Sequence, residues 1–258
     1  MAQGEFLWCD LATFNVEETL KYYRDLFEWE LKPEEFPDGS TYYYASSANE
    51  VTAGIYEMPE VYRAEEMPSF WMSYIGVDDI TASCEQVKQL GGKVLLGPAS
   101  FGRGAAIAMI EDPQGARFTL FTGAHLQPRS SKMVPGGHFW NELYTPDPEA
   151  AEAFYGALFG WKAMSPDKNG RRAVNNLAGS ATTAFEDCSR SPHPLNAPQW
   201  TVGFACADLH DFVEKLSPLE RENMLWIKHK RSAAICISDP KGAVFVVSQV
   251  AEESSWFS

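Results

Sequence analysis

The spacing of apolar and polar residues changes in a fixed order along the first part of the chain. FLWCDLAT, residues 6–13, is typical of a strand, whose alternation would place Trp8 and Asp10 on one face. In VEETLKYYRDLF, residues 16–27, apolar side chains recur at helical spacing, and Asn15 is in position to cap this helix. Short aromatic and β-branched runs follow, separated by PDGS and ANE. The pattern predicts one βαβββ module.

The same order returns from residue 70 onward. FWMSYIGV predicts a strand, DDITASCEQVKQLGG a helix, and KVLLGP, AAIAMIED and ARFTLFTG three further strands. The first half of the chain is therefore predicted to contain two modules.

The second half of the chain repeats the first. WCDLATFNVEETLKYYRDLFEW, which starts at Trp8, returns as WNELYTPDPEAAEAFYGALFGW, which starts at Trp140, an offset of 132 (140 − 8). IEDPQGARFTLF and ISDPKGAVFVVS repeat at an offset of 127 (237 − 110). Residues 126–137, LQPRSSKMVPGG, have the composition of a linker. We predict two homologous domains, 1–125 and 138–258, joined by the linker 126–137, and expect Asp147 to cap the helix in the second copy.

Composition narrows the classes of function. The 258 residues are 45% hydrophobic, which is enough for buried cores, and the net charge of −14 disfavours nucleic acid and anionic lipid as partners. The cysteines are five in number, with no C-x-x-C pair, which is typical of a reducing compartment. No basic and apolar leader and no long apolar run is present in the sequence. We expect a cytoplasmic protein with a small-molecule ligand, and homo-oligomerisation stays open.

Three features together resemble a known family. They are LFGW after a first helix, the DPxGxxF turn before a last strand, and paired βαβββ modules. They resemble the vicinal oxygen chelate superfamily, also called the glyoxalase, bleomycin resistance protein and dioxygenase superfamily. The W-x-[DE]-L opening resembles a tandem-domain, hydroxylase-like branch. The resemblance implies an α+β fold of two tandem glyoxalase-like domains, each a curved sheet around a cleft. The first copy departs from the pattern at Glu28, where the second has Gly160, and we expect this to affect a turn rather than a site.

The resemblance also implies positions for a divalent metal. In the family, His and carboxylate ligands lie on the first, fifth and last strands of a domain. The corresponding positions here are Trp8, Met72 and Thr119 in the first domain and Trp140, Thr201 and Val246 in the second. These side chains do not compete with imidazole and carboxylate for such a cation. The five histidines are His125, His138, His193, His210 and His229, none of them at these positions. We predict that neither metal nor another cofactor is bound there.

Each copy keeps one carboxylate beside its first tryptophan. Asp10 follows Trp8 by two positions, and Glu142 follows Trp140 in the same way, so strand alternation would direct both carboxylates to the cleft side. In apolar surroundings such a group can act as a general acid or base or can orient a polar ligand. The alternative is a structural role, in which the carboxylate bonds only its neighbours.

Other residues are weaker candidates. Cys9 is predicted to be a small buried hydrophobe rather than a nucleophile. Tyr42 and Tyr44 share a strand face, and core packing is the predicted role of both.

Two functional classes remain, with a third behind them. The first is a metal-independent small-molecule binding protein of the glyoxalase or bleomycin resistance type, which sequesters or modifies an aromatic or cationic metabolite. The second is an enzyme that uses Asp10 or Glu142 for proton transfer. The third is a lyase or dioxygenase with a displaced metal site. The predicted ligand-binding residues are Trp8, Asp10, Met72, Thr119, Trp140, Glu142, Thr201 and Val246.

Overall fold

A computed structural model of the chain describes residues 3–65, 67–102, 104–124, 126, 133–228 and 233–249. Residues 127–132, which make up much of the predicted linker, lie outside the described residues, as do His125 and His229.

Within the described residues, strands and helices form two series of the same order. The first series is β1 (Phe6–Thr13), α1 (Val16–Phe27), β2 (Glu30–Glu35), β3 (Thr41–Ser47), β4 (Glu50–Glu57), β5 (Phe70–Gly76), α2 (Ile80–Gln89), β6 (Lys93–Ser100), β7 (Ala106–Glu111) and β8 (Arg117–Thr122). The second series is β9 (His138–Thr145), α3 (Pro148–Phe159), β10 (Lys162–Ala163), β11 (Arg172–Asn175), β12 (Ala181–Asp187), β13 (Gln199–Cys206), α4 (Leu209–Lys215), α5 (Pro218–Asn223), β14 (Leu225–Lys228), β15 (Ala233–Ser238) and β16 (Val244–Gln249).

The strands form two mixed sheets of eight strands. The first has the order β2-β3-β4-β1-β5-β8-β7-β6, and the second has the equivalent order β10-β11-β12-β9-β13-β16-β15-β14. In both, the first strand of a module pairs in parallel with the last strand of that module, and the remaining neighbours within the module are antiparallel. The predicted α+β fold of tandem βαβββ modules is confirmed.

The N-terminal caps of the equivalent helices α1 and α3 differ between the two repeats. Asp147 accepts hydrogen bonds from the backbone N–H groups of Glu149 and Ala150, so the predicted cap of α3 forms. Asn15 makes no such side-chain bond. Its own N–H donates to the hydroxyl of Thr13 at 3.2 Å instead.

Tertiary contacts group the chain into two compact units, and each unit combines segments of both repeats. Unit one is drawn from residues 1–8, 72–129 and 140–201, and unit two from residues 9–71, 130–139 and 202–258. Each unit therefore contains most of one module from each half of the chain. The domain boundaries 1–125 and 138–258 stay a prediction.

In unit two, a hydrogen-bonded chain joins α1 to the turn before β16. The hydroxyl of Tyr23 donates to Asp239 Oδ2 at 3.1 Å and accepts from Trp71 Nε1 at 3.0 Å. Asp239 in turn accepts from the backbone N–H groups of Lys241 and Ala243. Tyr23 is completely buried, so each polar atom in this series of hydrogen bonds needs its partner.

Unit one contains the same chain of bonds. The hydroxyl of Tyr155 on α3 donates to Asp112 Oδ2 at 2.9 Å and accepts from Trp200 Nε1 at 3.0 Å. Burial raises the pKa of the Asp112 carboxyl above its ordinary value, against the backbone and tyrosine hydrogen bonds that lower it. We call these two arrangements the Trp–Tyr–Asp bridges.

Removing the Tyr155 hydroxyl tests the contribution of its bridge to stability. Tyr155→Phe leaves Trp200 Nε1 without its acceptor and takes one donor from buried Asp112. We expect the free energy of unfolding to fall by about 1–3 kcal/mol. Denaturant unfolding measures the change, and Tyr43→Phe is the control because Tyr43 is only partly buried. Equal small losses in both variants would show that the bridge adds nothing specific.

Candidate functional site

In the first repeat, a buried carboxylate lies against a tyrosine. Asp10 on β1 is only 2% exposed, and the hydroxyl of Tyr42 on β3 donates to its Oδ2 at 3.3 Å. Asp10 is in parallel register with Gly54 on β4. A Cβ atom at Gly54 would lie 1.7 Å from the Tyr42 hydroxyl oxygen, so this contact requires glycine.

Aromatic rings surround this contact. The ring of Tyr42 lies 5.0 Å from that of Tyr44 and stacks at 6.1 Å on that of Tyr56, which follows Gly54 by two positions on β4. Burial, and then the charge of Asp10, raise the pKa of Tyr56 above its ordinary value. Tyr42, Tyr44 and Tyr56 are called the tyrosine layer below. Tyr42 and Tyr44 are only half-buried, so the prediction that they are core residues is wrong.

In the second repeat, the corresponding carboxylate is paired with arginine. Arg171, just before β11, donates from Nε to Glu142 Oε1 at 2.7 Å, and the Glu142 side chain is 4% exposed. Glu186 on β12 lies 3.4 Å from the same nitrogen. The guanidinium carbon of Arg171 is 6.0 Å from the ring centroid of Trp140, at the outer range of a cation–π contact.

Burial and crowding of charge set the protonation of this group. Burial, followed by the charge of Glu142, raises the pKa of Glu186 to about 8, and the attraction of Arg171 limits this rise. Burial opposes the charge of Arg171, but the charge of Glu142 and its hydrogen bond outweigh it and raise the pKa of Arg171. At neutral pH this cluster therefore contains one guanidinium and a carboxyl group that mostly keeps its proton.

The two sites occupy equivalent places in the repeat. Tyr42 pairs with Tyr56 across β3 and β4, and Arg171 meets Glu186 in the same way beside β11 and β12. Arg171 follows Tyr42 at an offset of 129 (171 − 42). The sequence prediction named both carboxylates but missed Arg171, Glu186 and the contact of Tyr42. Extending the repeat alignment to residues 42 and 171 would have indicated that Arg171 stands at the place of Tyr42.

The remaining predicted residues are distributed along the central strands. Thr201 on β13 is buried, and its hydroxyl donates to the backbone oxygen of Glu142 at 3.2 Å, which joins it to Trp140 and Arg171 in unit one. Trp8 on β1 is half-buried, Met72 on β5 and Thr119 on β8 are buried, and Val246 on β16 is in register with Gly203.

The residues at the family's metal positions do not fit a divalent cation. Indole, thioether, hydroxyl and alkyl groups lie on the first, fifth and eighth strands of each sheet, where imidazole and carboxylate would be needed. In the described part of the chain, the one cluster with metal-ligand geometry is Asp208, His210 and Asp211. It is fully exposed, and Asp208 is already the N-cap of α4.

Comparison with known proteins identifies the family. A model described as the Glyoxalase/Bleomycin resistance protein/Dioxygenase superfamily matches residues 5–120. A Mycobacterium tuberculosis protein named "Putative glyoxylase CFP32" is 30% identical over 255 residues, which are 97% of this chain and 97% of that protein. The chain belongs to the glyoxalase/bleomycin resistance protein/dioxygenase superfamily.

A further relative and two solved structures match nearly the whole chain. The anthracycline biosynthesis protein DnrV of Streptomyces peucetius is 26% identical over 274 residues, covering 97% of this chain and 95% of DnrV. Homoprotocatechuate 2,3-dioxygenase of Brevibacterium fuscum, solved with 3,4-dihydroxyphenylacetate, matches 98% of this chain and 83% of its own, with a TM-score of 0.63 and 14% identity. The Mn(II)-bound glyoxalase of Novosphingobium aromaticivorans covers 97% and 83%, with a TM-score of 0.62 and 15% identity. At these identities the two structures establish the fold alone.

Helix length gives one more finding. Among the described residues, every helix is too short or too polar to cross a lipid bilayer.

The raised pKa of Glu186 predicts how stability depends on pH. The folded carboxyl keeps its proton to about pH 8, whereas the unfolded one ionises near its ordinary value of 4.5. Between these values the unfolded chain binds fewer protons, so stability falls as pH rises. Since Glu186→Gln cannot ionise, we expect it to gain stability relative to wild type between about pH 5 and pH 8, and to gain none below about pH 4.

Denaturant unfolding at several pH values measures this difference. Besides Glu142 and Arg171, the charges that act on Glu186 are those of Asp167 and Asp187, and both raise its pKa. Glu85→Gln, an exposed substitution in the same unit, is the control. A difference between Glu186→Gln and wild type that does not change with pH would contradict the assignment.

Proposed function

We propose that the chain is a metal-independent small-molecule binding protein that takes an aromatic ligand with a cationic or neutral polar group. The observation that carries this proposal is the buried Asp10 carboxylate beneath the tyrosine layer. Aromatic faces bind flat apolar rings, and faces next to a carboxylate attract an ammonium group. A ligand cation would replace the Tyr42 hydroxyl as the partner of Asp10, or would be attracted electrostatically to the Asp10 carboxylate from nearby.

Two further observations support this ligand class. The net charge of −14 favours cationic and neutral ligands over anionic ones. The name of DnrV, an anthracycline biosynthesis protein, directs the first test to an anthracycline with an amino sugar. Its N-acetylated form has the same rings without the cation and serves as the ligand control.

Replacing the carboxylate by its isostere tests the site. Asp10→Asn keeps the shape and removes the charge, so we expect the affinity for the amino-sugar anthracycline to fall about tenfold to hundredfold. The loss should be small for the N-acetylated form. Isothermal titration calorimetry measures both affinities.

A charge-matched variant separates a local effect from a general one. Asp25→Asn removes one negative charge from an exposed place on α1 in the same unit and should leave the affinity unchanged. If Asp10→Asn binds as tightly as wild type but melts at a lower temperature, Asp10 is structural and the proposed pocket is wrong.

The alternative function is an enzyme that uses Asp10 or Glu142 for proton transfer. The raised pKa of Glu186 beside Glu142 favours this alternative, because such a carboxyl can donate and accept a proton near neutral pH. Binding with no chemical change of the ligand over hours supports the binding protein. A product that appears with wild type and not with Glu142→Gln supports the enzyme.

Metal content is predicted from the donor set. We expect the purified chain to retain well below one Zn, Fe, Mn or Ni per domain through gel filtration, because the six positions that correspond to the family's metal ligands lack His, Asp and Glu. Elemental analysis gives the ratio. A value near one per domain would restore the lyase or dioxygenase hypothesis with displaced ligands.

A further inference from the structure

The cluster of Arg171, Glu142 and Glu186 lies in unit one, whereas the proposed anthracycline site lies in unit two. The side chains that contact the carboxylate also differ between the two sites. Phenol groups in the first repeat give way to a guanidinium and a second carboxyl group in the second. A ligand that suits Asp10 and the tyrosine layer is therefore a poor guide to what this cluster binds.

The Arg171 guanidinium has N–H donors that can bind a further acceptor. Arg171 uses Nε for Glu142 at 2.7 Å, and the distance to Glu186 is measured from the same nitrogen. Within the described part of the chain, Nη1 and Nη2 of Arg171 have no hydrogen-bond partner. These two nitrogens carry four N–H donors, and the side chain is 20% exposed, so a ligand atom can reach it.

The surrounding groups fix the orientation of this donor edge. Glu142 is 4% exposed and holds Nε, and Thr201 bonds to the backbone oxygen of Glu142. The guanidinium carbon lies 6.0 Å from the ring centroid of Trp140, which is buried at 8% exposure. An arginine held in this way binds an acceptor with little loss of side-chain entropy.

The charge balance selects the type of acceptor. A carboxylate ligand would bring another negative charge close to Glu142, and an ammonium ligand would face the guanidinium. A neutral carbonyl oxygen meets neither penalty and accepts from the N–H donors. We propose that Arg171, supported by Glu142 and Glu186, forms a second ligand site that binds the carbonyl oxygen of a neutral aromatic ketone beside Trp140.

Four small probes on the wild-type chain test the ligand class. We expect 1-indanone to bind saturably and indane, which lacks only the oxygen, to bind about tenfold more weakly or not at all. Benzoate and benzylamine should both bind more weakly than 1-indanone. Ligand-observed NMR titration gives the affinities. Equal binding of indane, or preference for either charged probe, would overturn the proposal.

Two arginines of similar exposure locate the site. Arg171→Gln should weaken 1-indanone binding about tenfold or more. Arg172→Gln should not, because Arg172 pairs with Glu149 and Glu152 instead and its side chain is 18% exposed. Arg171→Lys keeps the charge but loses the planar donor edge, and we expect it to lose most of the affinity as well. Equal losses in Arg171→Gln and Arg172→Gln would place the ligand elsewhere.

The outcome is separable from that of the proposed function. Asp10→Asn should leave 1-indanone binding unchanged, and Arg171→Gln should leave anthracycline binding at Asp10 unchanged. If Arg171→Gln does not fold, Arg171→Lys and the comparison of the four probes on the wild-type chain still decide the question.

Discussion

A fully buried tyrosine hydroxyl holds each compact unit together. Tyr23 and Tyr155 each donate to the aspartate of a DPxG turn and accept from a tryptophan indole, with all four distances close to 3 Å. The tyrosine lies in one repeat and the aspartate in the other, 216 residues apart in one bridge and 43 in the other. Because a buried hydroxyl is costly without its partners, α1 and α3 can pack only where the turn of the other repeat supplies them. The doubled sequence motif therefore acts reciprocally, and each copy completes the core of a unit with a segment of the other.

The residues that contact Asp10 and Glu142 can differ between the repeats without a change in the bridge residues. Tyr42 and Arg171, which contact Asp10 and Glu142, take no part in the bridges, so a phenol can become a guanidinium at the place of Tyr42 without removing a bridge group. Backbone size still sets a limit. Gly54 admits the Tyr42 hydroxyl, whereas the equivalent place beside Glu142 has Ala184.

Periodicity predicted the four modules, because each strand and helix buries one face and the repeat supports the assignment twice. The expectation for Glu28 agrees with the structure: it adopts the left-handed conformation, with φ 59°, at the end of α1, as Gly160 does with φ 72° at the end of α3. The ion pair of Glu28 with Lys215 at 2.8 Å lies at this turn and away from Asp10. The pairing of modules across repeats could not be predicted, since homologous cores are interchangeable in pattern. Arg171 and Glu186 were missed because the sequence does not show that a charged residue just before β11 meets one near the end of β12 until their distance is known.

The proton on Glu186 couples ligand chemistry to the buried charges. Glu186 is protonated near neutral pH because burial and the charge of Glu142 oppose its ionisation more than Arg171 favours it. A neutral acceptor that engages the free edge of Arg171 leaves this balance intact, whereas an anion would stabilise the proton further and a cation would favour its release. By linkage, each ligand class would therefore shift the titration of Glu186 in its own direction. The ionisation of this single carboxyl group would report which class of ligand the proposed site at Arg171 binds.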